Sequence, residues 1–315
     1  MNIAIISPAT QVREEYIDGA ARRLTEEGFG VKIMPHAKGP ACGSYASSPE
    51  GRLQDLIAAF ADPETDAILC ARGGYGCNHL IDKISLDFIR CNPKPVIGFS
   101  DVTALHAMMY RAGVPSIHAP MAKHLTLEAP GHYCSRMLYN LLHSWEDGGA
   151  QTFEIPVASP LRPAGVELSL PPQHQRESFP TIEGVLVGGN LAVMNGLADT
   201  PFDFLRNSET TPLILFIEDI SEAIYAVERM LVRMTLSGKL QNIKALIVGS
   251  FTDYKADRNY DSMYAMIRRQ LSDIVPMILS FPVGHTPDNV PLIEGAYTRI
   301  KAEEGKIIFS QRAAK

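Results

Sequence analysis

A single tryptophan, Trp145, stands in a chain of 315 residues, and the five cysteines include no C-x-x-C pair. That odd number and spacing argue against a disulfide framework and a zinc site, so Cys42, Cys70, Cys77, Cys91 and Cys134 read as reduced thiols of a reducing compartment. No block of Lys or Arg offsets a net charge of -6, so nothing here would neutralise a polyphosphate backbone, and nucleic acid is set aside as a partner. No uninterrupted apolar run approaches the roughly 20 residues that span a bilayer, which sets a membrane aside as well. Met1–Pro8 lacks the basic start, apolar stretch and cleavage site of a signal peptide. The expectation is a cytoplasmic protein.

What is present is a folded composition, 46% hydrophobic and 20% charged, with length enough for two domains. The first half alternates short apolar strands with helix-like segments. Ile3–Ile6, Val31–Met34, Ala67–Cys70, Val96–Gly98 and Ser116–His118 read as strands. Glu14–Glu27 reads as a helix ended by Gly28, and Gly51–Ala61 as one with Leu53, Leu56, Ile57 and Phe60 on its buried face. Buried strands separated by helices predict an α/β fold with a mostly parallel N-terminal sheet covered on both faces.

Near residue 150 the pattern breaks. Residues 151–180 carry Pro156, Pro160, Pro163, Pro171, Pro172 and Pro180 and read as a linker between an N-terminal domain, 1–150, and a smaller C-terminal α/β domain, 181–315. In the latter, Ile182–Val187, Leu213–Ile217, Ala245–Val248, Met277–Leu279 and Ile307–Phe309 read as strands. Leu191–Leu197, Glu222–Leu236 and Met263–Leu271 read as helices.

Three polar residues follow apolar, strand-like segments. Ser100 follows Val96-Ile97-Gly98-Phe99, Glu218 follows Leu213–Ile217, and His285 lies in Phe281-Pro282-Val283-Gly284-His285. Ligands and catalytic groups of open α/β sheets collect at the carboxyl ends of strands. A serine hydroxyl needs a base to take its proton, and the base needs an acid to fix its tautomer, roles that Ser100, His285 and Glu218 supply. Each also has a plainer reading. Ser100 or Asp101 would serve as a helix cap, Glu218 as an acid in the first turn of the next helix, and His285 as a loop histidine. Gly98 two residues before the serine matches the first glycine of a nucleophile elbow, while Val102 stands where the second would be. Arg72-Gly73-Gly74-Tyr75-Gly76 suits close backbone approach to a ligand, as a phosphate cradle, an oxyanion-hole arm or a tight turn. It lacks the Gly-Lys-Ser/Thr ending of a Walker loop.

In this order the segments Ser7-Pro8-Ala9, Cys70–Gly76, Lys94–His106, His118–Met121, Leu186–Leu191, Leu215–Asp219, Arg229–Leu231 and Pro282–His285 resemble the LD-carboxypeptidases, serine peptidases that trim murein peptides. Their superfamily also holds microcin C immunity hydrolases. Ala119 is a mild departure, since glycine is frequent there. The resemblance implies Ser100 as nucleophile, His285 as general base and then acid, and Glu218 as the group orienting His285. It also implies an oxyanion hole from the backbone N–H groups of Gly74 and Asp101, with Gly73 and Tyr75 meeting the substrate. The implied reaction is removal of the terminal D-alanine from a murein tetrapeptide in cell-wall recycling, by a homodimer with no metal or organic cofactor.

Two other readings stand beside it. A hydrolase of peptidyl-nucleotides needs a stacking surface for a base, often supplied by Trp, and Trp145 lies at the end of the first domain. A non-catalytic anion-binding module would use the glycine loop alone and would not be labelled covalently at serine.

Overall fold

The computed structural model describes residues 1–159, 164–174, 178–206, 210–260 and 262–313. The chain forms two compact units, Met1–Gly149 with Pro287–Gly295, and Ala150–Thr286 with Ala296–Lys315.

In the first unit, strands β1 (Asn2–Ile6), β2 (Gly30–Ile33), β3 (Ala67–Cys70), β4 (Val96–Gly98) and β5 (Ser116–His118) alternate with helices α1 (Glu14–Glu26), α2 (Pro49–Ala61), α3 (Leu86–Cys91) and α4 (Thr103–Ala112), and helices α5 (Ala122–Leu127) and α6 (Tyr133–His143) follow. The strands lie in the order β5-β4-β3-β1-β2 and are all parallel. Parallel neighbours need crossover connections, which the helices supply, and strands covered on both faces read as unbroken apolar runs such as Ile3–Ile6. The α2 helix starts where Ser48 accepts the Gly51 amide, with Pro49 in the first turn. Its buried face is rotated from the expected one and comprises Gly51, Arg52, Asp55, Leu56, Ala59 and Phe60, leaving Leu53 and Ile57 half-buried. The cause is polar. Arg52 and Asp55 both point inward to bonding partners that periodicity cannot register.

The second unit contains β6 (Ala150–Pro156), β7 (Glu167–Ser169), β8 (Ile182–Asn190), α7 (Leu191–Leu197), β9 (Leu213–Ile220), α8 (Ile224–Leu236), β10 (Ile243–Thr252), α9 (Met263–Leu271) and β11 (Met277–Leu279). The chain then returns to the first unit, where β12 (Leu292–Glu294) pairs antiparallel with β5, before β13 (Tyr297–Glu303) and β14 (Lys306–Arg312) complete the second. The second sheet runs β6-β14-β13-β8-β9-β10-β11-β7, with β8 to β11 parallel and the flanking strands antiparallel. Expected as the smaller domain, this unit carries the larger sheet, eight strands against six among the described residues.

Two expectations about chain organisation change. The stretch 151–180 is no free linker: β6 pairs along its length with β14, and β7 with β11. Of the described prolines here only Pro156 lies in a strand, at the end of β6, an edge strand where a missing N–H on the outer side breaks no ladder bond. Pro160 and Pro163 lie outside the described residues. Residues 287–295, assigned by sequence to the C-terminal domain, belong to the first unit. Among the described residues no helix is long and apolar enough to cross a membrane.

Candidate active site

Ser100 stands where β4 gives way to a 3-10 turn, Ser100–Val102, that leads into α4. Its φ of 66° is left-handed, a conformation that costs a residue with a β-carbon about 1–2 kcal/mol. A serine held this way on a strand-to-helix turn has the geometry of a nucleophile elbow. The cap reading fails for both candidates. Neither the 3-10 turn nor α4 receives a side-chain cap, and the Asp101 carboxylate turns away from the helix to accept the Cys77 amide at 2.8 Å. Burial pushes the Asp101 carboxyl above its usual range, and the Cys77 N–H pulls it back.

That bond ties the serine turn to the glycine loop. A β-carbon on Gly73 would fall 2.8 Å from Ser100 Cβ, 2.9 Å from its Oγ and 3.1 Å from the Asp101 nitrogen, so only glycine lets the loop lie against the hydroxyl and that amide. Gly74 instead faces Thr10, whose Oγ1 accepts the Tyr75 amide at 3.1 Å. Beneath the loop the fully buried Arg52 donates to Pro8 O at 2.6 Å, Gly76 O at 2.9 Å and Ser47 O at 3.3 Å, with its guanidinium 4.8 Å from the Tyr45 ring centroid. One planar fork thus fixes three carbonyls from three segments. Tyr75 is half-exposed, its ring edge-on to His79 at 5.3 Å.

In the second unit Glu218 is fully buried, and its Oε2 lies 2.7 Å from His285 Nδ1. The strand does not stop at Ile217 as expected. β9 continues through Glu218 and Asp219 to Ile220, with Glu218 opposite Asn190 of β8 and Asp219 opposite Phe251 beyond an irregularity in β10. His285 is brought over by main chain that runs beside β10, where Ser250 N donates to Val283 O at 2.8 Å. Gly284, at φ 111°, makes the approach possible, because a β-carbon there would meet Glu218 Cβ at 2.7 Å and Oε2 at 2.8 Å. The neighbouring Asp219 accepts from Asn190 Nδ2 at 2.8 Å, Ala192 N at 2.9 Å and Ile220 N at 2.8 Å, which ties β9 to the start of α7. Burial, with a smaller contribution from the Glu218 charge, raises the Asp219 carboxyl to about 6 against these donors.

Of the residues singled out from sequence, Ser100, Gly73 and Asp101 are neighbours within the first unit, and Glu218 and His285 within the second. Sequence reasoning missed Arg52, Thr10 and Asp219. Arg52 alone left a signal, a charged residue on the apolar stripe of α2. Among the described residues no three His, Cys, Asp or Glu side chains gather so as to hold a metal ion.

Residues 3–119 match the model of the LD-carboxypeptidase N-terminal domain, and residues 183–300 that of the LD-carboxypeptidase C-terminal domain. The chain is 30% identical to the murein tetrapeptide carboxypeptidase of Pseudomonas aeruginosa over 91% of this chain and 89% of that protein. It is also similar to the crystal structure of a muramoyltetrapeptide carboxypeptidase from Oxalobacter formigenes, with a TM-score of 0.81, 25% identity and 99% of each chain covered. The Microcin C7 self immunity protein in complex with aspartyl sulfamoyl adenosine shares the fold, at a TM-score of 0.80, 21% identity and coverage of 99% of this chain and 96% of that one. The protein belongs to the LD-carboxypeptidase family, a family of peptide hydrolases.

Proposed function

We propose that the protein is a serine carboxypeptidase that removes the terminal D-alanine from cytoplasmic murein tetrapeptides during cell-wall recycling. The observation that carries the reading is the 2.7 Å pair between buried Glu218 and His285 Nδ1, because an imidazole committed to a carboxylate at Nδ1 keeps its lone pair on Nε2. His285 takes the Ser100 proton as Oγ attacks the carbonyl carbon before D-alanine, and then returns it to the leaving amine. Glu218 holds the ring and balances the charge it gains. The backbone N–H groups of Gly74 and Asp101 receive the oxyanion, each donor being worth about 3–4 kcal/mol in the transition state. Gly73 and Tyr75 meet the peptide. Neither a metal nor an organic cofactor has a step in this chemistry, and the family resemblance makes a homodimer the expected assembly.

The test is release of free D-alanine from L-Ala-γ-D-Glu-meso-diaminopimelyl-D-Ala by the parent protein and by Ser100→Ala. Release by the parent alone supports both reaction and nucleophile. Cleavage of aspartyl sulfamoyl adenosine with no D-alanine release would move the substrate to the peptidyl-nucleotide class. A folded protein that resists serine-directed labelling would fit a binding module instead.

A further inference from the structure

A cavity of about 580 Å³ opens within the first unit beside the glycine loop, and its wall is cationic: Arg13, Arg72 and Lys123 line it with Thr10, Tyr16 and Ser44, and no carboxylate does. Arg13 is paired with Glu15 at 3.2 Å. Arg72 and Lys123 have no carboxylate partner among the described residues; Arg72 donates only to the Gln11 carbonyl at 3.3 Å. Both are half-buried. Lys123 is held beside the end of β3 by its own amide, which donates to Ala71 O at 3.0 Å. Arg72 directly precedes Gly73, the residue packed against Ser100, and Thr10 of the cavity wall is the same residue that carries the Tyr75 amide.

Two half-buried cations without counter-charges bear a desolvation cost that nothing on the wall offsets, so stability does not explain their placement. A chain of net charge -6 also repels an acidic peptide at long range, so attraction has to be built locally. We propose that Arg72 and Lys123 form a carboxylate subsite that anchors one carboxylate of the peptide in this cavity. The guanidinium offers a fork that matches the two oxygens, and the ammonium adds a point charge from the side of α5. The proposal rests on the peptidase reading of Ser100 and deepens it, assigning substrate recognition to residues outside the reacting groups. The tetrapeptide offers carboxylates on its terminal D-alanine, its γ-linked D-glutamate and its diaminopimelate, and the test separates these sources.

Parent, Arg72→Gln and Lys123→Gln are assayed on the tetrapeptide and on three versions that each lack one carboxylate: the C-terminal amide, the D-isoglutamine peptide and the lysine peptide. Each variant should lose roughly 10- to 100-fold in kcat/KM on the tetrapeptide, carried by KM, as expected for one charge-assisted contact. The loss should vanish for whichever peptide lacks the anchored carboxylate. Labelling of Ser100 by a neutral alkyl fluorophosphonate should be unchanged in Lys123→Gln, because the probe carries no carboxylate for the subsite to hold. Equal effects on all four peptides, or no effect on any, overturn the subsite. A parent that labels at Ser100 but releases no terminal residue from any peptide fails the functional reading instead. The subsite is then read by protection with the intact tetrapeptide, which carries all three carboxylates: slowed labelling of the parent and not of Lys123→Gln supports it, and equal rates with and without the tetrapeptide overturn it.

Discussion

At the scale of single residues the site is built from glycines placed where side chains would collide and from one serine held where glycine would be easier. Ser100→Gly should therefore stabilise the fold by about 0.5–1 kcal/mol relative to Ser100→Ala, the relief of the left-handed φ being partly offset by glycine's greater freedom when unfolded. Thermal unfolding of the two variants side by side reads this, and equal melting temperatures would show an unstrained turn. Gly73→Ala should lose nearly all Ser100 labelling while melting close to the parent, because the added methyl must push Ser100 or the loop by several tenths of an ångström. The serine was legible from sequence because a hydroxyl between an apolar strand and a helix is a local pattern. Arg52 left only its place on an apolar helix face, and its role was not legible, since its bonds reach carbonyls that lie 5, 24 and 44 residues away.

At the scale of elements, polar ties decide how loops and strands meet. Removing the Arg52 fork strands the Pro8, Ser47 and Gly76 carbonyls in the interior, so Arg52→Met should cost about 3 kcal/mol or more in urea unfolding. Arg52→Lys should recover only part of it, because an ammonium cannot fork. Between α4 and β4, His106 is wholly buried, with Nδ1 2.8 Å from Ser116 Oγ and Nε2 2.9 Å from Gly98 O, and burial holds it down to about 4. Glu294 at 3.8 Å is thus no ion-pair partner at neutral pH. The unfolded histidine takes its proton near 6.5 and the folded one near 4, so stability falls as pH drops across that window, by up to about 3 kcal/mol. Asp219 acts with the opposite sign: its folded carboxyl keeps a proton up to about 6, so its contribution is full below about 4 and is lost as pH rises toward 6. Melting curves of parent and His106→Asn from pH 7 to pH 4 should converge as the pH falls, and parallel curves would remove His106 as a source of acid sensitivity. The strands β6 and β7 were hidden at this scale. Phe153 and Ile155 of β6 do alternate with exposed neighbours, but the prolines that follow dominate the local signal, and only pairing with β14 makes the segment a strand.

At the scale of the whole molecule, the chain closes its first sheet late. β12 is three residues, Leu292–Glu294, set between Pro291 and Gly295, too short for any periodicity to reveal, and its strand character comes from β5 alone. The alternation of strands and helices made the α/β class and the parallel core of the first sheet readable, whereas a return crossing of this kind depends on which edge is left open after the other elements have paired. Val290, Leu292 and Ile293 are buried there, and among the described residues β5 has no other outer neighbour. A fragment ending at Gly149 would therefore expose the β5 edge and the apolar surface that these three side chains cover, a combination that favours strand addition between copies. Such a fragment should aggregate or bind a hydrophobic dye strongly, while the same fragment joined through a flexible linker to residues 287–295 should remain monomeric and unfold in one transition. Cooperative unfolding of the 1–149 fragment alone, without dye binding, would show that β12 decorates the first sheet and does not complete it.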